Sequence, residues 1–310
     1  DAYEEHDAPE TIEAVSGALA ALGHRPRRLG GGRAFLEALV AEPPQLVFNL
    51  AEGWGSRSRE AHVPAVCDML RVPYTHSDPL TMALTLDKAM AKRVVQSAGI
   101  PTPPFEVVET VAEAALVDLP FPLFVKPVAE GSSMGVRLSS RVDGRHGLEG
   151  EVERCLGAYR QPVLVETWLP GAEVTVAVRG QGRHARVFGT MEVAPSDGRT
   201  EGFVYGLETK RDFRRQVRYH VPPRTPTPDQ CADAERVALA AYRALGCRDI
   251  GRVDLRFDAE GGPHFVEVNP LPGLNPESSD LCIMAGHLDV SYLALVGGIL
   301  DEAILRHPEL

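Results

Sequence analysis

Basic residues are in the minority in this sequence. Among 310 residues there are 32 Lys and Arg against 43 Asp and Glu, a formal net charge of −11. That balance argues against a nucleic-acid binder or a binder of anionic membranes, both of which call for surplus positive charge. It leaves room for local basic patches around a phosphate site. Cysteine is sparse as well. Cys67, Cys155, Cys231, Cys247 and Cys282 are odd in number, scattered and without a C-x-x-C pair. This predicts reduced thiols in a cytoplasmic protein and gives no cysteine a catalytic role. The 10 histidines form no H-E-x-x-H and no other close metal pair. No stretch reads as a signal peptide, and no apolar run is long enough to cross a membrane. Both G-x-x-x-x-G-K-[ST] and G-x-G-x-x-G are missing, so two common nucleotide signatures do not apply. Internal repeats and low-complexity tracts are missing too.

What is present is ordinary globular material, 44% hydrophobic and 24% charged, in a chain long enough for two or three packed domains. The sequence begins at Asp1 and enters a helix almost at once, which leads us to expect a strand before it, outside the given sequence. Asp7 can cap that helix, Pro9 and Glu10 suit its first turn, and Gly23 stops it. "QLVFNL" (45–50) reads as a buried parallel strand, "EAHVPAVCDMLR" (60–71) as a helix and "VPYTHS" as a short strand. This alternation predicts a small open α/β domain at the N-terminus. Its loop "NLAEGWGSRSRE" then lies beyond a strand's carboxyl end, where such sheets place ligands.

Residues 87–99 predict a helix capped by Asp87 and ended by Gly99. Strand-like runs follow at 121–127, 162–169, 173–180 and 184–193, with a helix among them near 148–160. Residues 194–216 show no clear period and read as a long loop, of the sort that tends to carry function in a compact domain. Residues 227–246 and 289–305 read as helices.

The sharpest chemical signal is "FVEVNPLPG" (265–273), a buried run interrupted by Glu267 and Asn269 on one face. Upstream, "RVDLRF" (252–257) puts Arg252, Asp254 and Arg256 on one face, and "DAEGGP" between the runs suits a hairpin loop. With Phe257 facing His264, Asp254 falls opposite Glu267 and Arg252 opposite Asn269. Paired carboxylates on a half-buried hairpin repel unless something positive joins them. For an oxygen-rich set without His or Cys, that something is Mg²⁺. "VKPVAEGSSMG" (125–135) adds Lys126 at a strand end and a glycine loop able to approach a phosphate, and a plain hairpin turn after an edge lysine stays open beside that reading. "VETWLPGAE" (165–173) adds Glu166 and Glu173, which fit an adenosine site or an ordinary β-turn with solvated acids.

These blocks, in this order, resemble the ATP-grasp superfamily and within it the D-alanine–D-alanine ligase family, from about residue 45 to 300. The match is densest in "LDKAMAKRVVQSAGIPTPP", "FPLFVKPVAEGSSMG", "VLVETWLPGAEVTVAV" and "GRVDLRFDAEGGPHFVEVNPLPGL". The resemblance implies an α/β chain with α+β elements and three parts. These are an N-terminal α/β domain (1–85), a central ATP-grasp lobe (86–180) and a C-terminal lobe (181–310), with ATP held between the lobes. It implies ATP with two Mg²⁺ ions, for which Mn²⁺ can substitute. Lys88 and Lys126 match lysines on the phosphates, and Glu130, Gly131, Ser132, Ser133 and Gly135 match the glycine-rich loop, with Ser132 also helping to bind substrate. Thr167, Trp168 and Leu169 match the hinge that reads adenine, with Glu166 on the amino group and Glu173 on the ribose. Lys210 matches the lysine of a mobile loop. Asp254, Glu267 and Asn269 match the metal ligands, Arg252 and the Gly273 amide match stabilisers of the tetrahedral intermediate, and Ser278 matches a grip on the second substrate's carboxylate. Lys92 reads as a surface lysine, Arg256 as a structural ion pair, and Trp168 as core.

The same resemblance implies small amino-acid or peptide substrates, a homodimer, and amide formation through an acyl phosphate. Two departures bear on the acyl substrate. Arg211, in the run "KRDFRRQVR", stands where the family has a Tyr, and "NLAEGWGSRSRE" stands where it has H-G-x-x-G-E-D-G, with Glu5 and Asp7 only rough stand-ins for an N-terminal Glu. We therefore expect a ligase with a rebuilt acyl pocket, in which Arg211 and its neighbours recognise an extra carboxylate or form a solvated basic loop. A true D-alanine–D-alanine ligase and a catalytically silent ATP-binding module are the alternatives.

Overall fold

The structure, a computed structural model, describes residues 8–200, 202–308 and 310. The expectations placed on Glu5 and Asp7 lie outside the described residues. In chain order the elements are α1 (Pro9–Ala21), α2 (Gly32–Ala41), α3 (His62–Leu70), α4 (Pro79–Leu86), α5 (Lys88–Ser97), β1 (Phe105–Val108), α6 (Val111–Ala114), β2 (Leu123–Pro127), β3 (Arg141–Val142), α7 (Arg145–Tyr159) and β4 (Val163–Thr167). Then come β5 (Glu173–Arg179), β6 (Arg186–Pro195), α8 (Leu207–Arg211), α9 (Phe213–Gln216), β7 (Val217–His220), α10 (Pro228–Ala244), β8 (Ile250–Phe257), β9 (Pro263–Asn269), α11 (Asp280–His287) and α12 (Tyr292–Leu305).

Two antiparallel sheets organise the chain, one ordered β1-β4-β2-β3 and the other β7-β6-β5-β8-β9. Strand alternation explains how each sheet finds its core. In the smaller sheet Leu123, Val125, Val163 and Val165 pack on Leu148, Val152 and Cys155 of α7. In the larger sheet Val174, Val176 and Val178 of β5 face Ala238 and Tyr242 of α10, while Ala177 between them joins Leu295 and Ile299 of α12 on the opposite side. α5 begins where Asp87 accepts the Met90 amide at 3.0 Å. α10 begins with a reciprocal cap between Thr227 and Gln230.

Three differences from the sequence-based expectations have physical causes. The strands expected at 45–50 and 72–77 reduce to one parallel bridge, Val47 with Tyr74. Pro73 lends its carbonyl to the Val47 amide at 2.8 Å but has no N–H of its own to extend the ladder. On the β8–β9 hairpin Asp254 does oppose Glu267 and Arg252 does oppose Asn269. Phe257, however, opposes Pro263, and Arg256 opposes His264, because the register shifts between Asp254 and Leu255. Residues 194–216 contain the short helices α8 and α9, and α2, α4 and α11 were not expected. All five cysteines are free, and among the described residues no single helix is long and apolar enough to cross a membrane.

Candidate active site

A cavity of about 910 Å³ opens between the two sheets. Lys88 enters it from the first turn of α5, Lys126 from the end of β2, Glu166 from β4, Glu173 from β5, Arg252 and Asp254 from β8, Glu267 from β9 and Lys210 from α8. Lys88, Lys126, Glu166 and Glu173 sit near the ends of their elements, while Asp254 and Glu267 face the cavity from within β8 and β9, so strands from different sheets present charge to one space. Glu166 is buried between two ammonium groups, with Lys126 Nζ and Lys92 Nζ each 2.7 Å from one of its oxygens. Burial alone would raise the Glu166 carboxyl, yet the two lysines hold it below its ordinary value. Burial lowers Lys92 to about 8 against the pull of Glu166. Lys126 shifts the other way, since Glu166 and Glu267 overcome its burial.

Lys92 corrects the sequence reading. It is not on the surface but fully enclosed, and it also donates to Thr102 Oγ1 at 2.8 Å, whose hydroxyl donates to the Phe265 carbonyl at 2.7 Å. A signal was available: Lys92 lies three residues after Ala89 and three before Val95, on the buried face of α5. Arg256 forms the expected ion pair, 3.3 Å from Glu173, and its guanidinium stacks 4.0 Å over Trp168, itself buried. Burial pushes the Glu173 carboxyl up to about 7, with Arg256 opposing.

The glycine-rich loop is shaped by left-handed residues. Ser132 and Ser133 have φ of 47° and 58°, and Gly135 has φ +79°. A Cβ on Gly135 would stand 2.4 Å from Pro127 Cγ, so the glycine is required. Glu130 anchors the loop: its carbonyl accepts from Lys88 Nζ, and its carboxylate takes Gln161 at 2.6 Å and Arg59 at 3.3 Å. The segment bearing Lys210 closes on this loop. Ser133 Oγ donates to the Tyr205 carbonyl at 3.2 Å, and the Leu207 amide donates to the Val136 carbonyl at 3.1 Å. Lys210 Nζ lies 5.0 Å from the Tyr205 ring centroid.

The hinge also lies on the cavity. The Thr167 and Trp168 amides are spent on the Pro104 and Pro122 carbonyls, at 2.9 and 3.0 Å, while Leu169 lines the wall. Thr167 Oγ1 is buried with no hydrogen-bond partner among the described residues, a polar atom that a ligand in the cavity could satisfy.

Whether the donor set fits a divalent cation is answered by its chemistry. Asp254, Glu267 and Asn269 each offer a side-chain oxygen, and Asn269 Nδ2 donates to Asp254 at 3.1 Å while Glu267 stands opposite Asp254 in the β8–β9 ladder. Cations already stand against the acids, with Arg252 forking onto both Asp254 oxygens at 3.0 Å and Lys88 3.4 Å from Glu267. Against its burial, Lys88 and Lys126 hold the Glu267 carboxyl well below its ordinary value. Among the described residues no cluster of three or more His, Cys, Asp or Glu could hold a metal, so the set reaches three only by counting Asn269. The chemistry of these residues fits a hard divalent cation such as Mg²⁺.

A second, more open cavity of about 1680 Å³ adjoins the first and shares Lys88, Lys210, Arg252 and Glu267 with it. Here the structure places Gly131, Ser132, Arg211, Gly273, Ser278 and Asn269. A Cβ on Gly273 would meet Ser279 Oγ at 2.8 Å and displace the hydroxyl that accepts from the Asn275 amide at 2.9 Å. The Ser278 amide donates to Asn275 Oδ1 at 3.1 Å, leaving its hydroxyl at the exposed rim. Arg214 is drawn away from the cavity, 2.8 Å from Glu277 in an exposed pair. Sequence reasoning missed two buried acids on the wall, Glu60 and Asp280. Nothing in their flanking residues marks either as buried.

Comparison with known proteins bears on the whole arrangement. The profile described as D-ala D-ala ligase C-terminus matches residues 94–301. The chain belongs to the D-alanine–D-alanine ligase family. It is 35% identical over 309 residues to an uncharacterised protein of Sinorhizobium fredii, covering 95% of this chain and 88% of that one. It is 34% identical over 311 residues to a D-alanine–D-alanine ligase of Parvibaculum lavamentivorans, covering 96% and 94%. A solved D-alanine–D-alanine ligase from Bacillus anthracis complexed with ATP has a TM-score of 0.73 over 97% of this chain and 92% of that one, at 21% identity, which shows a common fold. With this ligase family come the ATP-grasp fold and the enzyme class, an ADP-forming ligase that makes carbon–nitrogen bonds.

Proposed function

We propose that the chain joins the carboxylate of a small amino acid or peptide to an amine through an acyl phosphate, in an acyl pocket that differs from that of D-alanine–D-alanine ligases. The observation that carries this reading is the meeting of Lys88, Lys126, Asp254, Glu267, Lys210 and Arg252 on one cavity wall between the sheets. ATP lies with its adenine at Thr167–Leu169 and Glu166, its ribose at Glu173 and its phosphates along Lys88, Lys126 and the loop Glu130–Gly135. Asp254, Glu267 and Asn269 would hold Mg²⁺, which when bound neutralises phosphate oxygens.

The substrate carboxylate attacks the γ-phosphorus, and the bond to ADP breaks. The amine nitrogen then attacks the acyl carbon, Arg252 and the Gly273 amide face the oxyanion, and phosphate departs with the C–O electron pair as the nitrogen loses its proton. Lys210 and the segment folded over the glycine loop exclude water from the acyl phosphate. Ser132 and Ser278 border the substrate cavity, and Arg211, which also lines it, is the cation assigned to an extra carboxylate. The three-part division at residues 85 and 180 belongs to this proposal, with β5 contributing its hydrogen bonds to the larger sheet. A cytoplasmic setting fits the five free thiols.

The test is ADP release with Mg²⁺ and ATP across D- and L-amino acids and small acids, with product masses read alongside. A new amide mass from an acid other than D-alanine is the expected result. A D-Ala–D-Ala product from D-alanine alone would mean the usual pocket has been kept. ATP binding with no turnover on any pair would overturn the ligase reading.

A further inference from the structure

Arg252 is held from two sides. Its Nε and Nη2 fork onto Asp254 at 3.0 Å, and its Nη1 lies 3.1 Å from Asp280 Oδ2. Asp254 is heavily committed, since it also accepts from Thr175 Oγ1 at 2.7 Å and Asn269 Nδ2 at 3.1 Å. It is in addition the carboxylate assigned above to the metal. Asp280 has no such second duty. Its other oxygen accepts from Tyr205 OH at 3.1 Å, and Tyr205 OH is 2.8 Å from Tyr219 OH. Burial raises both phenols well above their ordinary value, with Asp280 adding to the effect, so both stay neutral and able to donate. Asp280 is itself buried, and both of its oxygens are committed.

We propose that Asp280 is a positioning residue for the ligase reaction: it fixes the Arg252 guanidinium at the acyl end of the cavity and, through Tyr205, ties it to the segment that carries Lys210. The proposal rests on the function proposed above. A guanidinium gripped only by Asp254 would turn with that carboxylate whenever the latter served another cation, whereas a second charged hydrogen bond on Nη1 holds its plane. Tyr205 gives the grip its reach, because its hydroxyl binds Asp280 while its ring lies beneath Lys210. Closure of the Lys210 segment and placement of Arg252 then become one event.

Asp280→Asn keeps the shape and removes the charge. With the acid and amine found active above, kcat is expected to fall about ten- to hundredfold, the size of a lost charged hydrogen bond. The Kd for Mg²⁺–ATP, read by calorimetry, should stay within about twofold. The decisive measurement is a double-mutant cycle with Arg252→Ala: if Asp280 acts through Arg252, adding Asp280→Asn to Arg252→Ala costs no further rate. Additive losses in an active enzyme, or a Kd that moves as much as kcat, would overturn the role of Asp280 and leave the ligase reading standing. Silence of the unaltered enzyme across all substrates would overturn that reading, and the positioning role with it. Should Asp280→Asn fail to fold, Tyr205→Phe removes the tether and keeps the ring; it should lower kcat and show the same non-additivity with Arg252→Ala.

Discussion

At the nucleotide end of the cavity one carboxylate, Glu166, stands between two ammonium groups, Lys92 and Lys126. At the acyl end one guanidinium, Arg252, stands between two carboxylates, Asp254 and Asp280. The first cluster carries surplus positive charge and the second surplus negative charge, though both are almost closed to solvent. The difference follows what each must accept. Under the function proposed above, a polyphosphate needs uncompensated cations, and the Mg²⁺ that would accompany it needs uncompensated acids. Burial without full neutralisation is costly in either cluster, and a charged ligand of opposite sign relieves that cost.

The largest effect that would break this comparison is on stability. Glu166→Ala leaves two buried ammonium groups without their shared partner, and such broken buried pairs cost about 3–5 kcal/mol. Urea unfolding should show a loss of that size. A loss near zero would mean that Lys92 and Lys126 regain water and that the nucleotide end is not the closed cluster described here.

Arg211→Ala probes the acyl end alone. The KM for the acid should rise about tenfold, as for one lost hydrogen bond to a charged group, with the KM for ATP within about twofold. Equal rises for both would show that Arg211 serves the triphosphate, and the two ends would no longer be separable.

A third effect sharpens the boundary at the ribose position proposed above. Glu173 has a carboxyl raised from 4.5 to about 7 in the folded chain. Between those values the folded chain binds more protons than the unfolded one, so this group's contribution is fully present below pH 4.5 and is lost as the pH rises through 7. Without nucleotide, the Tm of the unaltered protein should fall relative to Glu173→Gln across that interval. A constant difference between the two would place Glu173 in ordinary solvent.

Much of the nucleotide end was legible in the sequence because its parts are local. The glycine loop, the hinge and the charged hairpin are each contiguous, and alternation along β8 and β9 was enough to set Asp254 against Glu267. The bulge on that hairpin was not legible, because it falls between two well-paired stretches and leaves the functional pairs in place. The acyl end was legible only in part, since Arg211 stood out in its basic run whereas Glu60 and Asp280 did not: they come from separate parts of the chain, and no spacing relates them. α8 and α9 are each under two turns long, too short for a hydrophobic period to show.

The order of motifs, the oxygen-rich hairpin, the phosphate-approaching loop and the family were determined by the sequence on its own, since each rests on chemistry within a few neighbouring residues. Which charges pair was decided only by the tertiary structure. Lys92 becomes a buried partner of Glu166 because α5 packs beneath β4 and β9, and Asp280 meets Arg252 because α11 starts beside β8. The cost of burying a charge depends on every neighbour within a few ångströms, and those neighbours come from distant parts of the chain.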